Sequence, residues 1–230
     1  MVPKLSVLVP AYNEASTIEA LVEKVLGLDI DLEVVIVNDG STDDTLEIAE
    51  RLAADDRVKV VSYDRNRGKG AAIREGIGHV SGKFVIIQDA DLEYDPNDYA
   101  AILREFEDPD VSVVYGSRRT MKSNPMSSLS FFMGGVTLTL ITNILYRTGI
   151  TDEPTCYKAF RTELLKSLPL KCEGFEFCPE VTAKVAKRGI RIREVPIHYY
   201  PRLKSEGKKI RAYHWFEAVG TLLSERFRKD

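Results

Sequence analysis

The residues able to do chemistry in this chain are gathered in short polar runs, each directly following a short apolar run. Asp89, Asp91 and Glu93 in DADLE set carboxylates on alternating positions. Hard oxygen ligands of this kind suit Mg2+ or Mn2+ held together with the oxygens of a diphosphate. A lone acidic turn of this type is ordinarily a solvated loop, but its place immediately after the FVII run favours a ligand set. Tyr12, Asn13 and Glu14 follow one apolar run and Asp39 another. They offer an aromatic face and short hydrogen-bonding groups suited to a base and a ribose, although Asp39, next to Gly40 and Ser41, is equally a helix-capping turn residue. Arg67, Gly68, Lys69 and Gly70 resemble a phosphate-cradling turn. They lack both GxxxxGK[ST] and GxGxxG spacing, so P-loop and dinucleotide-binding classes fall away.

Positioning these loops together requires a parallel sheet. Leu5 to Val9, Val34 to Val37, Val58 to Val61, Phe84 to Ile87 and Val111 to Tyr115 read as strands whose apolar character is continuous rather than alternating. Parallel strands covered by helices on both faces require this, and Thr17 to Leu26, Asp44 to Ala54, Ala71 to Ile77 and Tyr99 to Phe106 have helical spacing. Ser16 with Glu19, and Ser41 with Asp44, read as capping boxes at two helix starts. In such sheets ligands bind beyond the carboxyl ends of the strands, where all these polar runs lie.

Further along, a basic loop with Arg118, Arg119 and Lys122 leads into an uncharged stretch from Ser123 to Tyr146. That stretch is long enough to cross a bilayer, but its Ser, Thr, Asn and Gly content predicts an interfacial or buried helix instead. A helix around Pro179 to Lys187, a strand from Ile192 to Ile197, and an amphipathic helix carrying Trp215, Phe216, Val219, Leu222 and Leu223 follow. With no linker or repeat, the 230 residues read as one domain, 1–116 forming a nucleotide-binding half and 117–230 an acceptor half. Lys and Arg number 32 against 35 Asp and Glu, so no global basic field exists for nucleic acid, and any polyanion site is local. Cys156, Cys172 and Cys178 form no CxxC pair and read as free thiols of a reducing compartment. The opening MVPKLSVLVPAYNE reads as a first strand rather than a signal peptide. His79, His198 and His214 have no metal-ligand spacing and read as structural.

The runs LSVLVPAYNEASTIEALV, VVIVNDGSTDDT, NRGKGAAIREGI and IIQDADLEYDP resemble family 2 glycosyltransferases. The resemblance continues through VVYGSR, TDEPTCYKAFR, GFEFCPEVTAKVAKRG and IREVPIHYYPR to EGKKI, with dolichol-phosphate mannose synthases and their prokaryotic polyprenyl-phosphate relatives most similar. It implies an α/β GT-A fold: Rossmann-like, with a mostly parallel central sheet flanked by helices. It also implies inverting, metal-dependent transfer of a hexose from a nucleoside diphosphate sugar, GDP-mannose before UDP-glucose, to a polyprenyl phosphate. By matching motif, Pro10, Tyr12, Glu14 and Asp39 would hold the nucleoside, and Asp89, Asp91 and Glu93 the metal and diphosphate. Arg118, Arg202 and Lys209 would grip phosphates. Several relatives have Gln where this chain has Glu93. Longer relatives add transmembrane helices, so attachment here is expected to be peripheral, on the inner face of the cytoplasmic membrane, or to depend on a partner.

A phosphate monoester is largely a dianion at pH 7 and needs positive charge to approach a diphosphate, but no base to deprotonate it. Arg202, Lys204, Lys208, Lys209 and Arg211 stand against a single Glu206, a local excess that the net charge of -3 conceals. Two rivals remain at this point: transfer to a saccharide hydroxyl with Asp152 of TDEPT as general base, and a non-catalytic nucleotide-sugar or membrane-binding module.

Overall fold

The computed structural model describes residues 2–125, 128–202 and 211–228. Strands β1 (Leu5–Ala11), β2 (Leu32–Asp39), β3 (Val58–Tyr63), β4 (Phe84–Ile87), β5 (Val113–Ser117), β6 (Lys158–Arg161) and β7 (Ile192–Pro196) form one sheet in the order β3-β2-β1-β4-β6-β5-β7. Six expected strands are present. The seventh, β6, runs antiparallel between β4 and β5, and the remaining pairings are parallel. The carboxyl ends of the six parallel strands therefore share one edge, and β6 enters the sheet from that edge, bringing residues 152–157 to it.

Helices α1 (Ile18–Leu26), α2 (Thr45–Leu52), α3 (Lys69–Ile77), α4 (Tyr99–Glu105), α5 (Leu129–Tyr146), α6 (Thr162–Ser167), α7 (Phe177–Lys187) and α8 (Tyr213–Phe227) complete the structure. Ile18, Leu21, Val22 and Val25 recur at helical spacing and are fully buried, which fixes α1 on the sheet. The expected capping boxes are absent: α1 is capped at Thr17 and α2 at Asp44, neither through its side chain. Instead Ser41 Oγ accepts from Asn13 N at 3.0 Å and Thr45 Oγ1 from Glu14 N at 2.8 Å, so these hydroxyls tie the loop after β1 to the loop after β2.

Beyond β5, α5 packs against α7 and α8, burying Leu138, Ala183, Ala218 and Leu222 in a second, smaller core. By length and a mean hydropathy of 1.5, α5 could cross a membrane, with 17% of its residues buried. Its polar groups nonetheless have partners. Asn143 Nδ2 donates to Ile150 O at 2.8 Å, and Thr139 Oγ1 accepts from Glu153 N at 3.0 Å.

Candidate functional site

The acidic loop begins at Gln88, a fully buried side chain with no apolar role. Its Oε1 accepts the hydroxyls of Tyr99 and Tyr157, each at 2.6 Å, and its Nε2 donates to Asp89 O at 2.8 Å. A buried amide satisfied on both ends fixes the backbone where β4 turns out of the sheet.

Asp89, Asp91 and Glu93 then diverge. Asp89 pairs with Lys69, the first residue of α3. Burial alone would raise the Asp89 carboxyl, but the Lys69 ammonium holds it below the usual range. Asp91 accepts Arg202 Nη2 on Oδ2 at 2.5 Å and the Glu93 amide on Oδ1 at 3.0 Å. Its burial and the charge of Asp89 push it up to about 7, against the pull of Arg202. Glu93 accepts the Tyr199 hydroxyl at 3.0 Å and the Arg202 amide at 2.9 Å. Among the described residues no three acidic, His or Cys side chains are grouped as a metal cluster: Asp89 faces Lys69, whereas Asp91 and Glu93 both accept from Arg202.

Arg202 enters this acidic pocket rather than a separate acceptor site. Besides Asp91, its guanidinium reaches Glu14 Oε2 at 3.2 Å through Nη1. Glu14, only 8% exposed, belongs to this pocket as much as to any nucleoside site. The loops after β1, β4 and β7 are pinned together through one cation.

Asp39 is 2% exposed and anchors the turn after β3. Its Oδ1 accepts Arg67 N at 2.7 Å, and its Oδ2 accepts Gly68 N at 2.8 Å and Asn66 Nδ2 at 3.0 Å. Burial raises its carboxyl in spite of those amides. Asn13 likewise binds protein, its Oδ1 accepting Thr42 N at 2.8 Å, while Tyr12 and Pro10 are half-buried at the same edge. The amides of the Gly68 turn face protein groups. Gly70 N and Ala71 N donate to Gly174 O and Glu173 O at 3.1 and 3.0 Å, so protein carbonyls occupy the start of α3. Gly68 is required by its φ of +98° and by Glu173 O, which would lie 2.4 Å from a Cβ.

Arg118 follows β5 and is held by Asp152 through three bonds: Nε to Oδ2 at 2.7 Å, Nη2 to Oδ1 at 2.8 Å, and its own amide to Oδ2 at 3.0 Å. Its guanidinium also lies 5.1 Å from the Tyr199 ring centre. Asp152 is fully buried, and although burial would raise its carboxyl, Arg118 holds it below the usual range. This overturns its reading as general base, since both oxygens are locked by a guanidinium away from solvent. Lys209, with Lys204 and Lys208, lies outside the described residues.

A cleft of about 1200 Å³ is lined by some of these groups. Lys69, Asp89, Glu93 and Arg118 line one part, and Phe131, Phe132, Leu138, Phe175, Trp215 and Phe216 another. The aromatic wall comes from α5, α8 and the segment before α7, and Trp215 Nε1 donates to Gly134 O at 3.0 Å across it. The same helices also expose Leu129, Met133, Leu140 and Ile144 of α5 and Tyr213, Leu223 and Phe227 of α8, and Phe216 of the cleft wall is itself largely exposed.

The profile described as "Glycosyl transferase family 2" matches residues 6–168. The chain belongs to this family. Among curated family relatives, the low-salt glycan biosynthesis hexosyltransferase Agl6 of Haloferax volcanii is 30% identical over 205 residues, covering 87% of this chain and 48% of its own length. The dodecaprenyl-phosphate galacturonate synthase of Rhizobium johnstonii is 27% identical over 211 residues, covering 86% and 60%. The chain therefore spans about half to three-fifths of these relatives. The crystal structure of Mycobacterium tuberculosis glucosyl-3-phosphoglycerate synthase in complex with Mn2+, UDP and glucosyl-3-phosphoglycerate superposes with a TM-score of 0.76. It is 22% identical, covering 99% of this chain and 81% of that one, and establishes the GT-A fold.

Several residues that build this family 2 site carry no motif signal of their own. Gln88, Tyr94 and Tyr157 organise the acidic loop from within the core. Lys158 is buried beneath the Tyr115 ring at 3.7 Å and donates to Glu153 O at 2.6 Å. No local sequence signal marks Asp152 as the partner of Arg118, which lies 34 residues away along the chain.

Proposed function

We propose that this chain transfers a hexose from a nucleoside diphosphate sugar to a polyprenyl phosphate, with Mg2+ or Mn2+ assisting. The observation that carries this reading is the two-part cleft: ionic groups at one end and an aromatic wall at the other suit an acceptor with a phosphate head and a long apolar tail. The name of the Rhizobium relative, which includes a polyprenyl phosphate, and the hexosyltransferase from Haloferax support the same class. GDP-mannose is the first donor to try and UDP-glucose the second.

Asp91, with Asp89 beside it, would hold the cation. The donor set fits, because these are hard oxygens and the Arg202 guanidinium already lies against Asp91 as a positive charge. Bound there, Mg2+ or Mn2+ would offset charge building on the leaving diphosphate. Arg118 is oriented by Asp152 toward the cleft, where it can steady the acceptor phosphate. An oxygen of that phosphate attacks the anomeric carbon, the bond from that carbon to the diphosphate oxygen breaks, and its electron pair leaves with the nucleoside diphosphate. A dianionic acceptor brings no proton, so the mechanism requires no general base. The exposed apolar faces of α5 and α8 support peripheral attachment to a membrane, which we assign to the cytoplasmic face.

Incubation with labelled GDP-mannose or UDP-glucose, Mn2+ and a polyprenyl phosphate should yield a solvent-extractable glycolipid. Its absence with every donor, or transfer to a free saccharide instead, would contradict the proposal.

A further inference from the structure

Arg202 and Glu93 form an arrangement that the transfer chemistry does not by itself explain. The guanidinium bridges Asp91 at 2.5 Å and Glu14 at 3.2 Å, yet its Nε, buried and 3.8 Å from Glu93 Oε1, makes no hydrogen bond among the described residues. Glu93, meanwhile, binds the backbone of the same segment: its carboxylate accepts the Arg202 amide and the Tyr199 hydroxyl, and its carbonyl accepts the Tyr200 amide at 2.8 Å. The bridge between Tyr94 and Tyr199 continues this attachment. One carboxylate thus holds the main chain of Arg202, while other carboxylates hold its side chain.

We infer that Arg202 is an internal counter-ion of the acidic pocket, exchanged for the divalent cation on Asp91, and that Glu93 is the positioning residue that keeps Arg202 beside the site through this exchange. A divalent cation bound at Asp91 Oδ2 repels the guanidinium and competes with it for the same oxygen, which favours release of the Arg202 side chain from Asp91. The displaced group stays within reach because its amide remains bound to Glu93, and an anion entering with the cation offers new acceptors to the freed donors. Glu93 acts on the chain rather than on the metal. This inference rests on the cation-assisted reading above.

Mn2+ affinity without nucleotide, read by electron paramagnetic resonance, separates the possibilities, with Asp91→Asn as the reference for a lost ligand. Removing a competing ion pair of this burial in Arg202→Gln should tighten Mn2+ about tenfold. Glu93→Ala should leave Mn2+ affinity within about threefold, a change below 1 kcal/mol. In transfer assays it should raise the acceptor KM while the donor KM holds, and Glu93→Gln, which keeps one acceptor oxygen, should restore part of the difference. Unchanged or weaker Mn2+ binding in Arg202→Gln would overturn the counter-ion exchange. Loss of Mn2+ in Glu93→Ala equal to that in Asp91→Asn would make Glu93 a ligand and overturn its positioning role. Wild-type protein that bound no Mn2+, alone or with GDP or UDP, would overturn the cation-assisted reading itself and this inference with it.

Discussion

At the scale of single residues, the two aspartates of the acidic loop are driven apart by their neighbours. Lys69 keeps Asp89 ionised, and the resulting charge together with burial raises Asp91 to about 7. The cation-bound state needs Asp91 ionised, whereas the free protein takes up a proton there as pH falls through about 7. Binding of Mn2+ with a nucleoside diphosphate should therefore weaken below pH 7, by up to about tenfold per unit, with proton release approaching one. Calorimetry in buffers of different ionisation enthalpy checks this, and affinity independent of pH between 6 and 8 would contradict it. Asp152 makes a different prediction. Asp152→Asn leaves a largely buried Arg118 without its charge partner, and with that side chain still 21% exposed the loss of stability should be roughly 2–4 kcal/mol by denaturant unfolding. The acceptor KM should rise while the pH–rate profile keeps its shape. A profile that lost its acidic limb would restore Asp152 as a base.

At the scale of elements, the parallel strands and their flanking helices were legible because buried strands of this kind need unbroken Val, Ile and Leu runs. β6 was not. Its four residues, KAFR, begin and end with cations, and they form a strand only because Lys158 finds Glu153 O and the Tyr115 ring, while Arg161 Nε donates to Val111 O at 2.8 Å. Tyr115 and Val111 lie far from these residues along the chain, so the pairing leaves no local pattern. The capping boxes failed for a related reason, as Ser41 serves Asn13 across two loops rather than its own helix. The acidic and basic candidates were found by their place after strands, but their pairing with one another depends on how the loops converge. The turn before α3 yields a test: Gly68→Ala meets both a left-handed φ and Glu173 O, and should cost roughly 1–3 kcal/mol by thermal or denaturant unfolding. Wild-type stability would mean that the 173–174 segment yields readily.

At the scale of the whole molecule, the sheet edge supplies the ionic half of the cleft and the α5–α8 pair the apolar half, so under the proposed function one surface would set both the place of transfer and the approach to a membrane. The exposed faces of those helices, with Phe216 at 70% and Phe227 at 80% exposure, would lose contact with water on a bilayer. Replacing both with Ser should weaken binding to mixed zwitterionic and anionic vesicles by on the order of tenfold or more in co-sedimentation, with nucleotide binding intact. Equal sedimentation of both proteins would contradict membrane docking by α8. The proposed reaction joins a cation-held nucleotide sugar to a lipid-linked phosphate at this family 2 site. The most direct measurement gives purified protein Mn2+ and labelled GDP-mannose or UDP-glucose, with a polyprenyl phosphate in one arm and a polyprenol or neutral saccharide in the other. Label should appear in the lipid-phosphate arm alone and be abolished by EDTA, whereas equal or greater transfer to the uncharged acceptors would contradict the proposed reaction.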